Sequence, residues 1–198
     1  MSRFSSIFRQ KAKINPETVE ISRFRDFWYY SHSIVPEFFF GSFGVMSQRS
    51  LFVNAATAFI KAGEYDRAKE MLDKCQQVVK RENFPLESIP LGFSGNDYMV
   101  CEMVAQYYTV GEVEKARELA ASLFNELLVS SRFYMEFYDY CKSDFELCGN
   151  YVYYLQDVVE KAGDGELAKK IGDNFEQLIG YIQGDGAKSP ESETISAD

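Results

Sequence analysis

The chain has 198 residues, enough for one domain or a short repeat array with a buried core, and a formal net charge of −9. An acidic body repels phosphate backbones, which argues against nucleic acid as a partner. No stretch reaches the ~18 apolar residues that crossing a bilayer takes. One histidine and four cysteines with no C-x-x-C pair argue against a zinc site or a disulfide framework.

The charge is unevenly placed. Residues 1–13 carry Arg3, Arg9, Lys11 and Lys13 and no acid, leaving the remainder at −13. These cations interrupt any apolar secretion-signal core. With Phe4, Ile7 and Phe8 they suit either an anionic membrane surface or a solvated terminus. Residues 14–30, opened by Asn15-Pro16-Glu17, are expected to form a helix whose Val19, Ile21, Phe24, Phe27 and Trp28 cap the first helical repeat. The stretch from Glu37 to Met46 is expected to be an aromatic, glycine-broken linker. Residues 1–50 are therefore assigned as an N-terminal helix and linker, 51–182 as the main domain and 183–198 as a disordered acidic tail.

The main domain is organised by a recurring unit. Gly63/Ala68, Gly111/Ala116 and Gly163/Ala168 each place an alanine five residues after a glycine. Before each glycine runs an apolar stripe at helical spacing: Phe52, Ala55, Ala56, Phe59, then Val100, Met103, Val104, Tyr107, then Val152, Leu155, Val159. A second stripe starts at each alanine: Ala68, Met71, Leu72, Cys75, Val79, then Ala116, Leu119, Ala120, Leu123, Leu127, then Ala168, Ile171, Gly172, Phe175, Ile179. Glycine tolerates the left-handed conformation that ends one helix and reverses the chain, and the alanine lets the paired helices approach. The pattern predicts an all-α fold of three tetratricopeptide-like helical hairpins, an α–α superhelix with extra helices. The glycines are 48 and 52 residues apart, longer than the roughly 34 of a regular tetratricopeptide array. The extra length falls in a loop over residues 81–97, with Pro85, Pro90, Gly92 and Gly95. It falls also in the stripe Tyr134, Phe137, Tyr138, Cys141, Phe145, Cys148, which predicts an additional or extended helix. Cys141 and Cys148 lie about 10.5 Å apart along such a helix, too far for a disulfide. All four cysteines read as buried free thiols.

Residue types suited to chemistry are sparse. His32 stands between Ser31 and Ser33 in an expected loop, without the converging third group of a triad. Gly41-Ser-Phe-Gly44 lacks the spacing and setting of a phosphate loop. Glu102, Asp157 and Glu160 lie on first helices, but nothing in the pattern pairs them as a glycosidase would require. No catalytic residue, metal ligand or cofactor site is predicted.

Aromatic residues, 16% of the chain, point instead to binding. If the hairpins stack, residues just off the core stripe of the first helices should line a concave groove. These are Val53, Thr57, Ile60 and Lys61, then Tyr98, Cys101, Ala105 and Tyr108, then Tyr153, Asp157 and Glu160. The groove candidates are Tyr98, Tyr108, Tyr153, Asp157 and Glu160, whose rings either stack on a sugar or peptide or fill space between hairpins.

The stretches Ala62-Gly-Glu-Tyr-Asp-Arg-Ala68, Leu72-Asp-Lys-Cys75, Glu82-Asn-Phe-Pro85, Val110-Gly-Glu-Val-Glu-Lys-Ala116 and Gly163-Asp-Gly-Glu-Leu-Ala168 carry a resemblance. In order and spacing, residues 51–180 resemble the C-terminal helical-repeat region of a large Bacteroidetes family of membrane proteins. The N-terminal multi-span region of that family is similar to protein O-mannosyltransferase-like glycosyltransferases. The resemblance implies a soluble accessory domain on the periplasmic side of the inner membrane, attached to a membrane-embedded region of the same parent protein. It carries no catalytic residue into this chain. The expected function is a non-catalytic interaction domain that binds partner protein, acceptor or glycan. The alternative is a free-standing, cytoplasmic adaptor gripping a peptide in its groove.

Overall fold

The computed structural model describes residues 36–81, 84–87 and 95–182. The chain divides into two compact units, Met1–Phe39 and Phe40–Asp198, and the repeated glycine–alanine units all lie in the second. The expected helix over 14–30, His32 and the expected tail over 183–198 lie outside the described residues.

The described residues form six helices and no strand: α1 (Pro36–Lys61), α2 (Tyr65–Val78), α3 (Gly95–Thr109), α4 (Val113–Glu136), α5 (Tyr138–Lys161) and α6 (Gly165–Ile182). The fold is all-α. Among the described residues, no helix is long and apolar enough to cross a membrane.

Three glycines make the three hairpins. Gly63, Gly111 and Gly163 have φ of 75°, 83° and 91°, the left-handed region that a side chain resists. Each donates its N–H to the carbonyl three residues back: Gly63 to Ile60, Gly111 to Tyr108 and Gly163 to Glu160. The acid after each glycine reaches five back, Glu64 to Phe59, Glu112 to Tyr107 and Asp164 to Val159. Together these bonds close the last turn as a Schellman motif. The same acid's carbonyl then accepts the N–H of Ala68, Ala116 or Ala168 and opens the next helix. The Gly–x4–Ala spacing thus has a backbone meaning: the acid ends one helix and caps the next, and the alanine closes the first hydrogen bond of the second.

Both stripes of hairpins 2 and 3 form the core. Val100, Val104, Tyr107, Ala116, Leu123, Leu127, Val152, Leu155, Val159 and Ile171 are wholly buried. Hairpin 1 is more open, with Ala56, Ala68, Leu72 and Cys75 buried but Phe52, Phe59 and Met71 only partly so. α3 packs on α4 and α5, α4 on α5 and α6, and α5 on α6, while α2 meets α3. Hairpins 2 and 3 therefore pack first helix on first and second on second, while hairpins 1 and 2 meet through α2 and α3 and through the Gln106 amide of α3, which donates to the Val53 carbonyl and the Thr57 hydroxyl of α1.

One expectation changes and another is narrowed. Residues 37–46 are not a linker, because α1 runs unbroken from Pro36 through Gly41 and Gly44. A helical glycine costs only about 1 kcal/mol, which a long helix absorbs, and proline is at home in a first turn. Of the additional or extended helix expected between hairpins 2 and 3, the extended form is found. The stripe from Tyr134 to Cys148 lengthens α4 and α5 to 24 residues each, with the break at Phe137 (φ −115°, ψ 35°) and a kink at Cys141.

The described part of the stretch between α2 and α3 holds no helix. It is pinned by polar side chains of the helices. Glu126 of α4 accepts the N–H groups of Leu86 (2.7 Å) and Glu87 (3.0 Å), and Arg49 of α1 donates to the carbonyls of Phe84 and Pro85 (3.2 Å each). Ser130 donates to the buried Glu87 carboxylate at 2.9 Å.

Candidate functional site

Adjacent hairpins are joined by one repeated ionic clamp. The residue after the alanine of one hairpin pairs with the acid after the glycine of the next. Lys69 reaches Glu112 at 2.8 Å, and Arg117 reaches Asp164 at 2.5 Å. The Asp164 carboxylate is buried and also accepts the Tyr108 hydroxyl at 2.9 Å. The bond from Arg117, helped by the one from Tyr108, holds its carboxyl below the ordinary aspartate value although burial opposes this. The bond from Lys69 likewise lowers Glu112. The first seam carries a second clamp, Asp73 of α2 to Lys115 of α4 at 2.6 Å; the matching positions of the second seam are the buried pair Ala121 and Leu167.

The seams explain where the expected groove residues lie. Val53 and Cys101 are buried, not groove-facing. Thr57 accepts the Gln106 amide at 2.8 Å, and Tyr108 is committed to Asp164. These positions face the following hairpin, because stacking turns that flank of each first helix inward. Tyr153, Asp157 and Glu160 are their counterparts in the last described hairpin and stay accessible. Tyr153 is 48% exposed and meets Phe175 edge-on at 5.7 Å, while Asp157 pairs with Lys161 at 2.7 Å. The five candidates thus do not converge. Tyr108 belongs to a seam, Tyr98 to a patch on α3, and the other three to the flank of α5.

Tyr98 is the candidate whose ring joins two first helices. It is 42% exposed and stacks on Tyr154 of α5, with centroids 5.3 Å apart and planes 18° from parallel. The Tyr154 hydroxyl donates to Glu102 of α3 at 2.5 Å. Burial, then the bond to Glu102, push the Tyr154 phenol well above its usual range, so it remains a donor at any physiological pH. The result is a stacked aromatic pair backed by a carboxylate, spanning two first helices. Tyr154 was missed at the sequence level. It stands nine residues before Gly163, as Glu102 stands nine before Gly111, and that shared offset was its only signal.

A cleft of about 410 Å³ opens between hairpins 1 and 2 on the second-helix side. Asp73, Gln76, Arg81, Lys115, Glu118 and Ser122 are among its lining residues. Most of its polar groups are already engaged with neighbours. Gln76 donates to the Tyr107 hydroxyl (2.8 Å), which donates to Asp73 (3.1 Å), and Arg81 binds Glu126 (2.7 Å) and Ser122 (2.8 Å). Burial drives the Cys75 thiol at its wall up to about 11, so it is not a nucleophile at neutral pH.

Among the described residues no three His, Cys, Asp or Glu side chains gather as a metal site requires. Glu102 and Asp157 are each bonded to a different partner and share none. Comparison with protein-family models, curated proteins and solved structures finds no match to this chain.

Proposed function

We propose that this chain is a non-catalytic, tetratricopeptide-like interaction domain that binds a partner protein, an acceptor or a glycan through the Tyr98–Tyr154–Glu102 patch. The observation that carries the reading is the solvent-open stacked pair on the first-helix side. A tyrosine face offers an apolar platform for the C–H face of a sugar or for a peptide side chain. The adjacent Glu102 offers an acceptor for a hydroxyl or an amide N–H. Such a patch recognises without transforming, since it pairs no acid with a base across a substrate-sized gap. The contact of first helix with first helix, repeated at two seams, supports the repeat reading. Its parent would be a membrane glycosyltransferase-like protein, with this domain on the periplasmic side and no cofactor needed.

Thermal shift of the purified chain against oligosaccharides, lipid-linked-sugar head groups and peptides tests this. A ligand bound only by the folded state adds about 2.7 kcal/mol at 100-fold excess over its Kd. The expected result is a shift with one class that Tyr98→Ala and Glu102→Gln both abolish. A shift that survives both substitutions, or silence across all three classes, would overturn the assignment of the patch.

A further inference from the structure

The two ends of the described hairpins carry the two halves of a seam. In the seam between hairpins 1 and 2, the exit side supplies Lys69 and Asp73 and the entry side supplies Glu112 and Lys115. The exit side of hairpin 3 repeats the first half at the same offsets from its alanine, as Lys169 and Asp173. Both are exposed and take no ion pair among the described residues. The entry side of hairpin 1 repeats the second half, as Glu64 and Arg67, which are exposed and hold each other at 2.5 Å. Even the supporting ring recurs: Arg67 lies 4.1 Å over Phe59 as Lys115 lies 5.9 Å over Tyr107.

The helix flanks match the charges. The position ten before the glycine is buried as Val53 and Cys101 but exposed as Tyr153. On the entry side, the position five before the glycine is buried as Gln106 and exposed as Ala58. Leu51, twelve before its glycine, is 69% exposed, whereas its counterpart Met99 is half-buried. A large ring at the exit therefore faces a small residue at the entry.

We infer that a second copy of this chain docks head-to-tail, the exit face of hairpin 3 on the entry face of hairpin 1, with Lys169 meeting Glu64 and Asp173 meeting Arg67 of the neighbour. The partner is set by charge register: the acid–base order at one end is the complement of the order at the other. The contact is heterologous, so it propagates into open oligomers and does not stop at a closed dimer.

Sedimentation velocity of the full chain over a concentration series tests this. The expected result is a weight-average sedimentation coefficient that climbs with concentration and falls as salt is added. Lys169→Glu or Glu64→Lys alone weakens association by roughly tenfold, since an attraction becomes a repulsion. The double substitution in one chain restores it, because each seam takes one residue from each copy. The melting curve of Lys169→Glu should be unchanged, as that side chain is exposed and takes no ion pair among the described residues, which separates lost docking from lost fold. A monomer at every concentration, a dimer indifferent to Lys169→Glu, or a double variant no better than the singles would each overturn the proposal.

Discussion

Asp164 ties hairpin 2 to hairpin 3 through a single buried carboxylate. Its carboxylate accepts from Arg117 at 2.5 Å, from the Tyr108 hydroxyl at 2.9 Å and, weakly, from the Leu167 N–H at 3.4 Å inside the first turn of α6. Asp164→Ala removes all three bonds and leaves the half-buried Tyr108 hydroxyl without its acceptor. A hydrogen bond to a charged group is worth about 1.5–3 kcal/mol. The solvated end of the pair reduces this, and the lost cap adds back about 1 kcal/mol. The net is about 2 kcal/mol, or roughly 4–8 °C in Tm for a chain of this size. Asp164→Asn, which keeps an acceptor but no charge, should lose about half as much. Urea unfolding followed by helical circular dichroism measures both. The pH dependence has a definite sign. The folded carboxyl titrates below the unfolded one, so its contribution is complete above the ordinary aspartate pKa of about 3.9 and fades as pH falls through the folded value. The gap between wild type and Asp164→Ala should therefore close on acidification. A loss under about 0.5 kcal/mol at neutral pH, or a gap that widens in acid, would refute the clamp.

Two further perturbations test the packing. Ala116 is wholly buried at the first hydrogen bond of α4, so Ala116→Phe should overpack the α3–α4 hairpin by about 1–3 kcal/mol, read as a lowered urea midpoint. Thiol titration at pH 8 should find at most Cys141, which is half-buried, reacting in the native chain. Burial holds the Cys75 thiol at about 11 and drives Cys101 and Cys148 higher still, and all four react once urea unfolds the protein.

The packing of the hairpins also limits how much of the first-helix side stays open. The interior first helix, α3, gives one flank to the hairpin before it and another to the hairpin after it, as Gln106 does to Val53 and Tyr108 does to Asp164. Little of an interior first helix stays open. Tyr98, in the first turn of α3, stays 42% exposed.

The local pattern alone determined the all-α class, the three reversals and most of the core. That information is short-range: a left-handed glycine, a Schellman turn and stripes at helical spacing depend on residues within a few positions of one another. The linker expected at residues 37–46 failed because a glycine's cost is judged locally while a helix is sustained along its whole length. What only the tertiary structure decided is which flank of each first helix becomes a seam. Val53, Cys101 and Tyr153 share one offset and read alike in sequence, yet the first two are buried and the third is exposed. The difference is whether a following hairpin stands among the described residues, a partner about 50 residues away that no local pattern reports. The Lys69–Glu112 and Arg117–Asp164 clamps and the Tyr98–Tyr154 stack have the same origin. Each joins residues more than 40 positions apart, and each exists only because the hairpins stack.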